Sequence, residues 1–426
     1  MRANRTFFLS HGEPSQKMLG ALRGEIANTL KLYNLMNQHG YPVHEILDIY
    51  ELFGGIENLE SLAFLNCDLA DAQLEILEEV NLKSAKMVHE TVSKRQPQHL
   101  FILSWNITLA ALFATGIQKN FPTAAKLYVS HENENILAPL YAPASLLLTE
   151  ALLANEKAIE SGIPAWKIIH LPNHYPIDYE LVEKNRSYIA SKIAVSDKTC
   201  IIGAISRLEY GKNIEYALKA AKTLYDQGED LLFVLKGDFP KETSYPVYRE
   251  WLKNLLEQLK GEKWFFWDPS PTPFEKIEQV YASIDIFLYL SGSEAGSNVI
   301  VESMALGIPT LILDGSTNPS LFKGGALFIE NDGTEAQDTI RPFKVPSESD
   351  LLKKLGSLVR NPSLRKEWGK LARETAKKRF SPQITIDRLP LIFKAMSAYH
   401  SQSENCGKIR EEVEALYHED VKRYGS

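Results

Sequence analysis

The stretch 291–313, SGSEAGSNVIVESMALGIPTLIL, contains the pattern that decides the fold. It follows an apolar run that predicts a strand over 286–290, and it opens with a loop of small residues. An apolar helix is predicted over 298–306, after which Gly307 and Pro309 lead into a second strand. A strand, a helix and a further strand in this order are typical of a parallel sheet covered by helices. The sequence therefore predicts an α/β fold.

The same alternation of short apolar runs and helical periodicity extends along the whole chain. The predicted strands of the first half cover 6–9, 44–49, 100–104, 126–130, 145–149 and 167–170. Those of the second half cover 200–206, 231–235, 264–267, 286–290, 309–313 and 326–329. The longest predicted helices cover 24–37, 71–94, 348–379 and 383–398. The polar segment after His400 is predicted to be a solvated helix. Two similar halves predict two facing Rossmann-like domains, joined near the irregular stretch 171–179.

The composition excludes several classes of protein. The chain has 426 residues, enough for two domains of the usual size, with 44% hydrophobic and 24% charged residues. Such values exclude a disordered, collagen-like or disulfide-stapled chain. The net charge of -7 argues against binding nucleic acid through a broad basic field.

The cysteines and the apolar runs indicate where the protein works. Cys67, Cys200 and Cys406 are far apart, and none has the spacing of a zinc ligand set. The first apolar run, 7–9, is too short for a signal-peptide core, and no run reaches the roughly 18 residues of a membrane span. We therefore expect a cytoplasmic protein with reduced thiols, and a peripheral contact with the inner face of the cell membrane is a further expectation.

The loop before the helix at 298–306 is predicted to bind an anion. Its backbone amides lie at a helix amino terminus, where the helix dipole favours a phosphate. They belong to Gly296, Ser297, Asn298 and Val299. Glu294 and Glu302 flank this loop, and their expected partners are hydroxyl groups, such as those of a sugar or a ribose, because a phosphate would repel them. The alternative for Glu302 is a solvated carboxylate on the helix surface.

Arg207 and Lys212 lie five residues apart in the loop after the first strand of the second half. Two cations at this position can neutralise a diphosphate, and a guanidinium group can bind two oxygens at once. The alternative is an ordinary solvated loop with surface charge.

Together these segments resemble family 4 glycosyltransferases, which have the GT-B fold. The donor domain of that family is similar to the loop 207–212, LLFVLKG, VYASIDIFLYLSGSE, the stretch 294–302 and SMALGIPTLI, in this order. In the first half, RGEIANTLKLYNLMNQHGYPV resembles the first helix of the acceptor domain. LLLTEALLANEKAIESGIPAWKIIHLPN resembles the segment that leads to the linker, and KRFSPQITIDRL the terminal crossover helix.

The resemblance implies three segments and a role for each. Residues 1–175 would bind the acceptor, 176–381 would bind the nucleotide-sugar donor, and 382–426 would form the crossover helix and a tail that returns to the first domain. Arg207 and Lys212 would hold the donor diphosphate, and Glu302 would accept a hydrogen bond from the ribose. Glu294 would contact the transferred sugar, and the amides of 296–299 would orient the sugar and the phosphate.

The acceptor side is implied by fewer residues. His131 of KLYVSHENE corresponds to a histidine that lines the family's reaction centre, with a purely structural histidine as the alternative. Gly24 corresponds to the second glycine of a Gly-Gly loop, and Gly12 of SHGEPS is expected in an acceptor-side loop. Glu294, Arg207, Lys212 and His131 are the predicted catalytic residues.

The chain departs from the family pattern at three positions. Ala295 and Asn213 stand where the family usually has glycine, and Arg23 replaces the first glycine of the Gly-Gly pair. These changes give some weight to a non-catalytic nucleotide-sugar-binding protein. A sugar-nucleotide epimerase or hydrolase on the same fold is another alternative. A dinucleotide oxidoreductase is disfavoured because the three-glycine fingerprint is missing.

The expected activity is that of a retaining hexosyltransferase that moves a sugar from a nucleotide diphosphate sugar to a hydroxyl acceptor. That acceptor would be a glycan or a lipid-linked molecule. Asn298 in EAGSNVIVE resembles the variant of this motif that is common among enzymes that build cell-surface polysaccharides. We expect no cofactor and no metal, because the strand-end loops of the second half contain no Asp-x-Asp pair and Asp238 and Asp268 stand alone.

Overall fold

A computed structural model describes residues 6–10, 23–48, 85–103, 112–127, 141–175, 185–240, 245–272, 277–292, 297–315, 319–336 and 343–424. These residues form two compact units. The N-terminal unit contains the described residues up to His174 and those from Pro382 onward, and the C-terminal unit extends from Tyr175 to Ser381. Among the described residues, none of the helices combines the length and the hydropathy of a membrane span.

The N-terminal unit is built on a six-stranded parallel sheet. Its strands are β1 (Thr6–Ser10), β2 (Val43–Asp48), β3 (His99–Leu103), β4 (Thr123–Leu127), β5 (Leu146–Thr149) and β6 (Ile168–His170). They are ordered β2-β1-β3-β4-β5-β6 across the sheet. All four residues of β5 are buried, as expected for a parallel strand with both faces covered. The connecting helices are α1 (Arg23–Gln38), α2, whose described part is 85–95, α3 (Ile117–Asn120) and α4 (Leu152–Glu160).

The C-terminal unit contains a second six-stranded parallel sheet. Its strands are β7 (Cys200–Ile205), β8 (Leu231–Lys236), β9 (Phe265–Asp268), β10 (Ile286–Tyr289), β11 (Thr310–Leu313) and β12 (Leu327–Ile329). Their order is β12-β11-β10-β7-β8-β9. Its helices are α5 (Ser187–Ala190), α6 (Ile214–Asp226), α7 (Pro246–Gln258), α8 (Ile277–Ala282), α9 (Asn298–Ala305), α10 (Pro319–Phe322), α11 (Glu348–Arg360) and α12 (Pro362–Phe380).

An antiparallel hairpin, β13 (Asn331–Ala336) with β14 (Phe343–Pro346), lies outside both six-stranded sheets and was not predicted. The single helix predicted over 348–379 is also wrong, since α11 and α12 are separate. Asn361 caps the second helix, where its side-chain oxygen accepts a hydrogen bond from the Leu364 amide at 3.0 Å. Pro362 then occupies the first helical position, which suits a residue without an amide hydrogen.

Two helices return to the N-terminal unit, α13 (Pro382–Ser401) and α14 (Cys406–Tyr424). They complete the core that covers one face of its sheet. The buried side chains that they contribute include Leu389, Ile392, Met396, Ile409 and Val413. The helix predicted after His400 is therefore present, but one side of it packs against the core and only the rest is solvated. The buried residues of α14 are Ile409, Val413, Asp420 and Tyr424, and the Asp420 carboxylate forms an ion pair with Arg388 of α13.

Candidate functional site

The C-terminal sheet has a topological switch point between β7 and β10. The chain proceeds from β7 to β8 and β9 on one side, whereas β10 and β11 lie on the other. The two strands are parallel, with Ile202 opposite Ile286. Open α/β sheets bind ligands outside the carboxyl ends of their strands at such a point. The loops that follow β7 and β10 are therefore the expected location of a ligand site.

The loop after β7 turns sharply before α6. Gly211 has a φ of 80°, and Asn213 has a φ of 53°. Gly211 also approaches the Phe343 ring so closely that an added Cβ would lie 2.4 Å from it. Asparagine is among the few residues besides glycine that adopt a positive φ readily. Asn213 therefore supports the backbone conformation that a glycine would allow.

Hydrogen bonds connect this loop to the loop after β10 and to β14. The side-chain amide nitrogen of the buried Asn213 donates to the Leu290 carbonyl at 2.7 Å and to the Lys344 carbonyl at 3.0 Å. The Gly292 amide donates to the Gly211 carbonyl at 2.7 Å. These bonds fix three segments that are distant in sequence relative to one another. Asn213 thus has a structural function that glycine lacks, and its presence is no sign of a lost site.

The two predicted cations of this loop differ in their surroundings. The Lys212 ammonium group donates to the Ser291 hydroxyl at 3.1 Å and lies 5.8 Å from the centre of the Tyr289 ring. Lys212 is therefore placed at the carboxyl end of β10. Arg207 is more exposed and forms an ion pair with Glu209 at 3.3 Å. The structure brings Lys212 to the switch point, while Arg207 lies on the exposed side of the same loop.

Helix α9 begins next to this position. Ser297 is its buried N-cap residue, and Asn298 and Val299 form its first turn and are partly exposed. The first turn of an α-helix carries amide groups that lack acceptors inside the helix and favour an anion. Glu294 and Gly296 lie outside the described residues. The predicted roles of all five positions remain predictions.

Glu302 is buried on α9, so the alternative of a solvated surface carboxylate is wrong. The Tyr281 hydroxyl donates to the Glu302 Oε2 atom at 3.0 Å. Tyr281 is fully buried at the end of α8, and burial, followed by the charge of Glu302, raises the pKa of its phenol well above the usual value. The phenol therefore stays protonated and acts as a fixed donor to the carboxylate. No local sequence pattern indicates Tyr281, because its partner is 21 residues away.

Asp268, at the end of β9, has a different environment. It lies 3.2 Å from the Lys236 ammonium group and 3.3 Å from that of Lys192, and it accepts hydrogen bonds from Tyr188 and Ser270. Burial alone would raise the pKa of this carboxyl, but its hydrogen-bond donors and Lys236 hold the pKa well below the usual value. Asp268 is thus already neutralised by the protein's own cations.

No cluster of three or more histidine, cysteine, aspartate or glutamate side chains that could hold a metal ion occurs in the described part of the chain. Asp238 is exposed, and its carboxylate accepts a hydrogen bond from the Phe239 amide at 2.8 Å. Asp238 lies two residues after the end of β8, and Asp268 is the last residue of β9.

The predicted acceptor residues are only partly covered by the description. Gly12 and His131 lie outside the described residues, and Gly24 is the second residue of α1. The carboxyl ends of β4 and β5 in the N-terminal unit line a small cavity of about 30 Å³ together with His174. Burial, and then the charge of Lys31, lowers the pKa of His174 to about 4, so the ring is neutral at pH 7. The sequence analysis did not select His174.

The comparison with protein families concerns the C-terminal unit. Residues 186–375 match the family model of glycosyl transferases group 1. The matched segment includes Arg207, Lys212 and Glu302. The predicted glycosyltransferase domain is therefore confirmed, and its finer assignment to family 4 remains a prediction.

One curated relative of this chain is the alpha-monoglucosyldiacylglycerol synthase of Streptococcus pneumoniae (strain ATCC BAA-255 / R6). The two sequences are 24% identical over 181 residues. The match covers 42% of this chain and 37% of the relative. The chain thus spans little more than a third of the length of the curated relative that it matches.

Two solved structures illustrate the similarity of the fold. HepE of Anabaena, in complex with UDP and glucose, has a TM-score of 0.60 at 16% identity, covering 91% of this chain and 98% of that chain. A glycosyltransferase from Rickettsia africae ESF-5 has a TM-score of 0.64 at 15% identity, covering 93% and 99%. These similarities confirm the predicted α/β fold of GT-B type.

Proposed function

We propose that this chain transfers a sugar from a nucleoside diphosphate sugar to a hydroxyl acceptor. The observation that carries this proposal is the arrangement at the switch point of the C-terminal sheet. There, the Lys212 ammonium group lies 3.1 Å from Ser291, which belongs to the segment that leads into α9. Lys212 lies at the carboxyl end of β10, and the next helix in the sequence, α9, carries the buried Glu302. The glycosyl transferases group 1 domain supports the proposal.

The proposed chemistry is positioning and charge stabilisation. When the glycosidic bond to phosphate breaks, negative charge develops on the departing diphosphate. Lys212 and Arg207 supply fixed positive charge, and the first turn of α9 supplies amide donors. Glu302, oriented by Tyr281, is proposed to accept a hydrogen bond from the nucleotide ribose. The reaction is proposed to retain the configuration of the anomeric carbon without a protein nucleophile: the acceptor oxygen bonds to that carbon on the face from which the diphosphate departs, and the acceptor's proton passes to the diphosphate.

Metal independence is part of the proposal. A divalent cation needs carboxylates that are available to coordinate it. Asp268 is neutralised by Lys236 and Lys192, which makes it a poor ligand. We therefore expect turnover to survive excess EDTA and to remain unchanged when magnesium or manganese is added. Loss of turnover in EDTA, recovered with a divalent ion, would contradict this part of the proposal.

The comparisons suggest which substrates to test first. HepE is described in complex with UDP and glucose, and the pneumococcal relative is named a synthase of alpha-monoglucosyldiacylglycerol. A UDP-hexose is therefore the proposed donor, and a glycan or a lipid-linked hydroxyl is the proposed acceptor. We also propose that the protein works at the cytoplasmic face of the membrane. A role in cell-surface polysaccharide synthesis is part of the same proposal, and the resemblance of Asn298 to the residue found in such enzymes supports it.

The testing experiment begins with donor binding. The full chain is heated with UDP-, GDP- and ADP-sugars, and a donor that binds the folded state raises the melting temperature. Transfer is then followed with the stabilising donor and a panel of glycan and diacylglycerol acceptors. Transfer to an acceptor supports the proposal. Donor consumption without acceptor indicates a hydrolase or an epimerase, and binding without turnover indicates a non-catalytic protein.

The stereochemistry needs a separate measurement. The anomeric configuration of the product is read by proton NMR from the coupling constant of the anomeric hydrogen. The proposal predicts that the donor and the product have the same configuration. An inverted product would contradict the retaining mechanism while leaving sugar transfer itself intact.

A further inference from the structure

The N-terminal unit has a second cavity that is not used by the proposed reaction. It has a volume of about 730 Å³, within the range of typical ligand pockets. Lys119, Ser145 and Lys167 line it, and they precede β4, β5 and β6, respectively. The cavity therefore lies at the amino edge of the sheet, opposite to the carboxyl edge where α/β sheets usually bind their substrates. We call it the amino-edge pocket.

One wall of this pocket is an organised group of side chains from three elements. The Arg410 guanidinium group lies 4.1 Å from the centre of the Trp166 ring. Tyr399 contacts the same ring edge-on at 5.1 Å, and its hydroxyl donates to the Trp166 carbonyl at 3.0 Å. Stacking on an aromatic ring fixes the plane of the guanidinium group. The wall is thus held in place before any ligand arrives.

The charge of the pocket is positive in a protein whose net charge is -7. Lys119, Lys167 and Arg410 line it, and no aspartate or glutamate is among its described lining residues. Lys167 donates to the carbonyl of Ala142, a neutral acceptor. Burial lowers the pKa of Lys167, and a bound anion would stabilise its charged form. Three cations without a carboxylate among them favour a multiply charged anion.

The pocket also offers a hydrogen-bond acceptor. Gln118 lines it, and the buried Oε1 atom of Gln118 has no hydrogen-bond partner among the residues that the structure describes. A buried carbonyl oxygen without a donor is costly. Because Gln118 lines the pocket, a rotation of its side chain would turn this oxygen toward a ligand, whose hydroxyl group would supply the missing donor. The volume also exceeds what an inorganic phosphate needs, so the ligand is expected to carry a polar body as well as its charge.

We propose that the amino-edge pocket is a second binding site, and that its ligand is a phosphorylated sugar or polyol. The phosphate would contact Lys119, Lys167 and Arg410, since ammonium and guanidinium groups bind phosphate oxygens strongly. A hydroxyl of the sugar or polyol would donate to Gln118. The same chemistry occurs in a free sugar phosphate and in the headgroup of an anionic phospholipid, which the experiments below distinguish.

The first experiment measures binding to the full chain by calorimetry. The probes are glucose 6-phosphate, glycerol 3-phosphate and uncharged glucose. We expect the phosphorylated probes to bind at least about tenfold more tightly than glucose, because three cations contact the phosphate. Absence of binding by both phosphorylated probes at millimolar concentration, together with absence of binding to the vesicles described below, would overturn the proposal.

Matched variants then place the bound ligand. Lys167→Gln and Lys119→Gln are each expected to weaken binding by about tenfold, the usual size for one charged contact. Lys408→Gln is the control, because Lys408 is exposed on α14 and does not line the pocket. Melting temperatures verify that each variant is folded. Lys119 is exposed, so Lys119→Gln is expected to fold and keeps the test valid even if Lys167→Gln unfolds. Unchanged affinity in Lys119→Gln and in a folded Lys167→Gln contradicts the proposal.

A further arm separates this site from the proposed donor site. Arg207→Ala, in the C-terminal unit, should leave glucose 6-phosphate binding unchanged. If Arg207→Ala abolishes this binding and Lys167→Gln does not, the probe occupies the donor site and the amino-edge proposal fails. The proposed sugar transfer would be unaffected by that outcome.

The last arm identifies the source of the phosphate. Sedimentation with phosphatidylglycerol vesicles is compared with sedimentation with phosphatidylcholine vesicles. Binding to phosphatidylglycerol that is lost in Lys167→Gln, but kept in Lys408→Gln, supports the site with a lipid headgroup as its ligand. Binding of soluble sugar phosphate without retention on vesicles supports the site with a free metabolite as its ligand.

Discussion

Two buried carboxylates of the C-terminal unit show how the same chemical group is used in different ways. Asp268 is the last residue of β9 and is surrounded by Lys236, Lys192 and two hydroxyl donors. Glu302 lies on α9 beside the switch point and is held by the neutral Tyr281 hydroxyl. The first arrangement neutralises the charge inside the protein. The second includes a neutral donor, which orients the carboxylate and adds no charge of its own.

The largest expected effect comes from breaking the first arrangement. Asp268→Ala leaves the buried Lys236 ammonium group without its counter-ion, and we expect a loss of about 3 kcal/mol or more in the free energy of unfolding. Urea unfolding measures it. Asp226→Ala is the control, because its ion pair with Lys222 is exposed and should contribute about 1 kcal/mol or less. Equal losses in both variants would contradict the role given to Asp268.

The pH dependence of this loss follows from the pKa of Asp268, which is lower in the folded than in the unfolded chain. A depressed carboxyl pKa stabilises the folded state above the unfolded value of about 3.9, and this stability is lost as the pH falls below it. The difference between wild type and Asp268→Ala should therefore be constant above about pH 5 and shrink on further acidification.

The next largest effect concerns the cations of the second arrangement. Lys212→Ala and Arg207→Ala should each slow sugar transfer by roughly a hundredfold, because fixed charge at the departing diphosphate is lost. Steady-state kcat with the active donor and acceptor measures this. Lys219→Ala, an exposed position paired with Glu348, should leave kcat unchanged. Wild-type kcat in both Lys212→Ala and Arg207→Ala would remove them from the mechanism.

Glu302→Ala should weaken binding of the bare nucleoside diphosphate by about 1 to 3 kcal/mol, the usual size for a charged hydrogen bond. Calorimetry with UDP provides the measurement. The matched control is Glu257→Ala, an exposed glutamate of α7 that pairs with Lys260. An affinity as high as that of the wild type would show that Glu302 is oriented for packing and not for the ribose.

The smallest expected effect is the difference in nucleotide affinity between variants of the two tyrosines that donate to these carboxylates. Tyr281→Phe removes the donor to Glu302, and Tyr188→Phe removes a donor to Asp268. Each should lower stability by about 1 kcal/mol. Only Tyr281→Phe should also weaken nucleotide binding, by a few-fold, because only Glu302 is proposed to contact the ligand. A similar loss of affinity in Tyr188→Phe would erase the distinction between the two carboxylates.

Local patterns in the sequence predicted most of the sheets, because buried parallel strands are short apolar runs with clear ends. The strands β7, β8 and β11 begin and end within a residue or so of their predicted bounds. The position of Lys212 at a strand end was predictable for the same reason. The contact of Asn213 with Lys344 was not, because it joins residues 131 positions apart through a hairpin with no periodic signal.

Two features of the structure have signals that the sequence contains. Asn213 departs from the family's glycine, but asparagine tolerates a positive φ and carries a side-chain amide that can bridge two carbonyls. In α14, Ile409 and Val413 are four residues apart, and Tyr424 lies near the end of the same stripe. The polar composition of that segment concealed a narrow apolar face. Tyr281 gave no signal, since only tertiary structure brings it to Glu302.

The return of α13 and α14 to the N-terminal unit affects how the protein is made. During synthesis, the strands β1–β6 emerge first, but the helices that cover one face of their sheet follow only after the entire C-terminal unit. At typical rates of about 5 to 20 residues per second, the roughly 200 intervening residues impose a wait of about 10 to 40 seconds. Throughout that interval the part of the apolar sheet face that α13 and α14 cover is exposed on the nascent chain. The C-terminal unit is contiguous and can finish folding first, so the half that is translated first is the half that matures last.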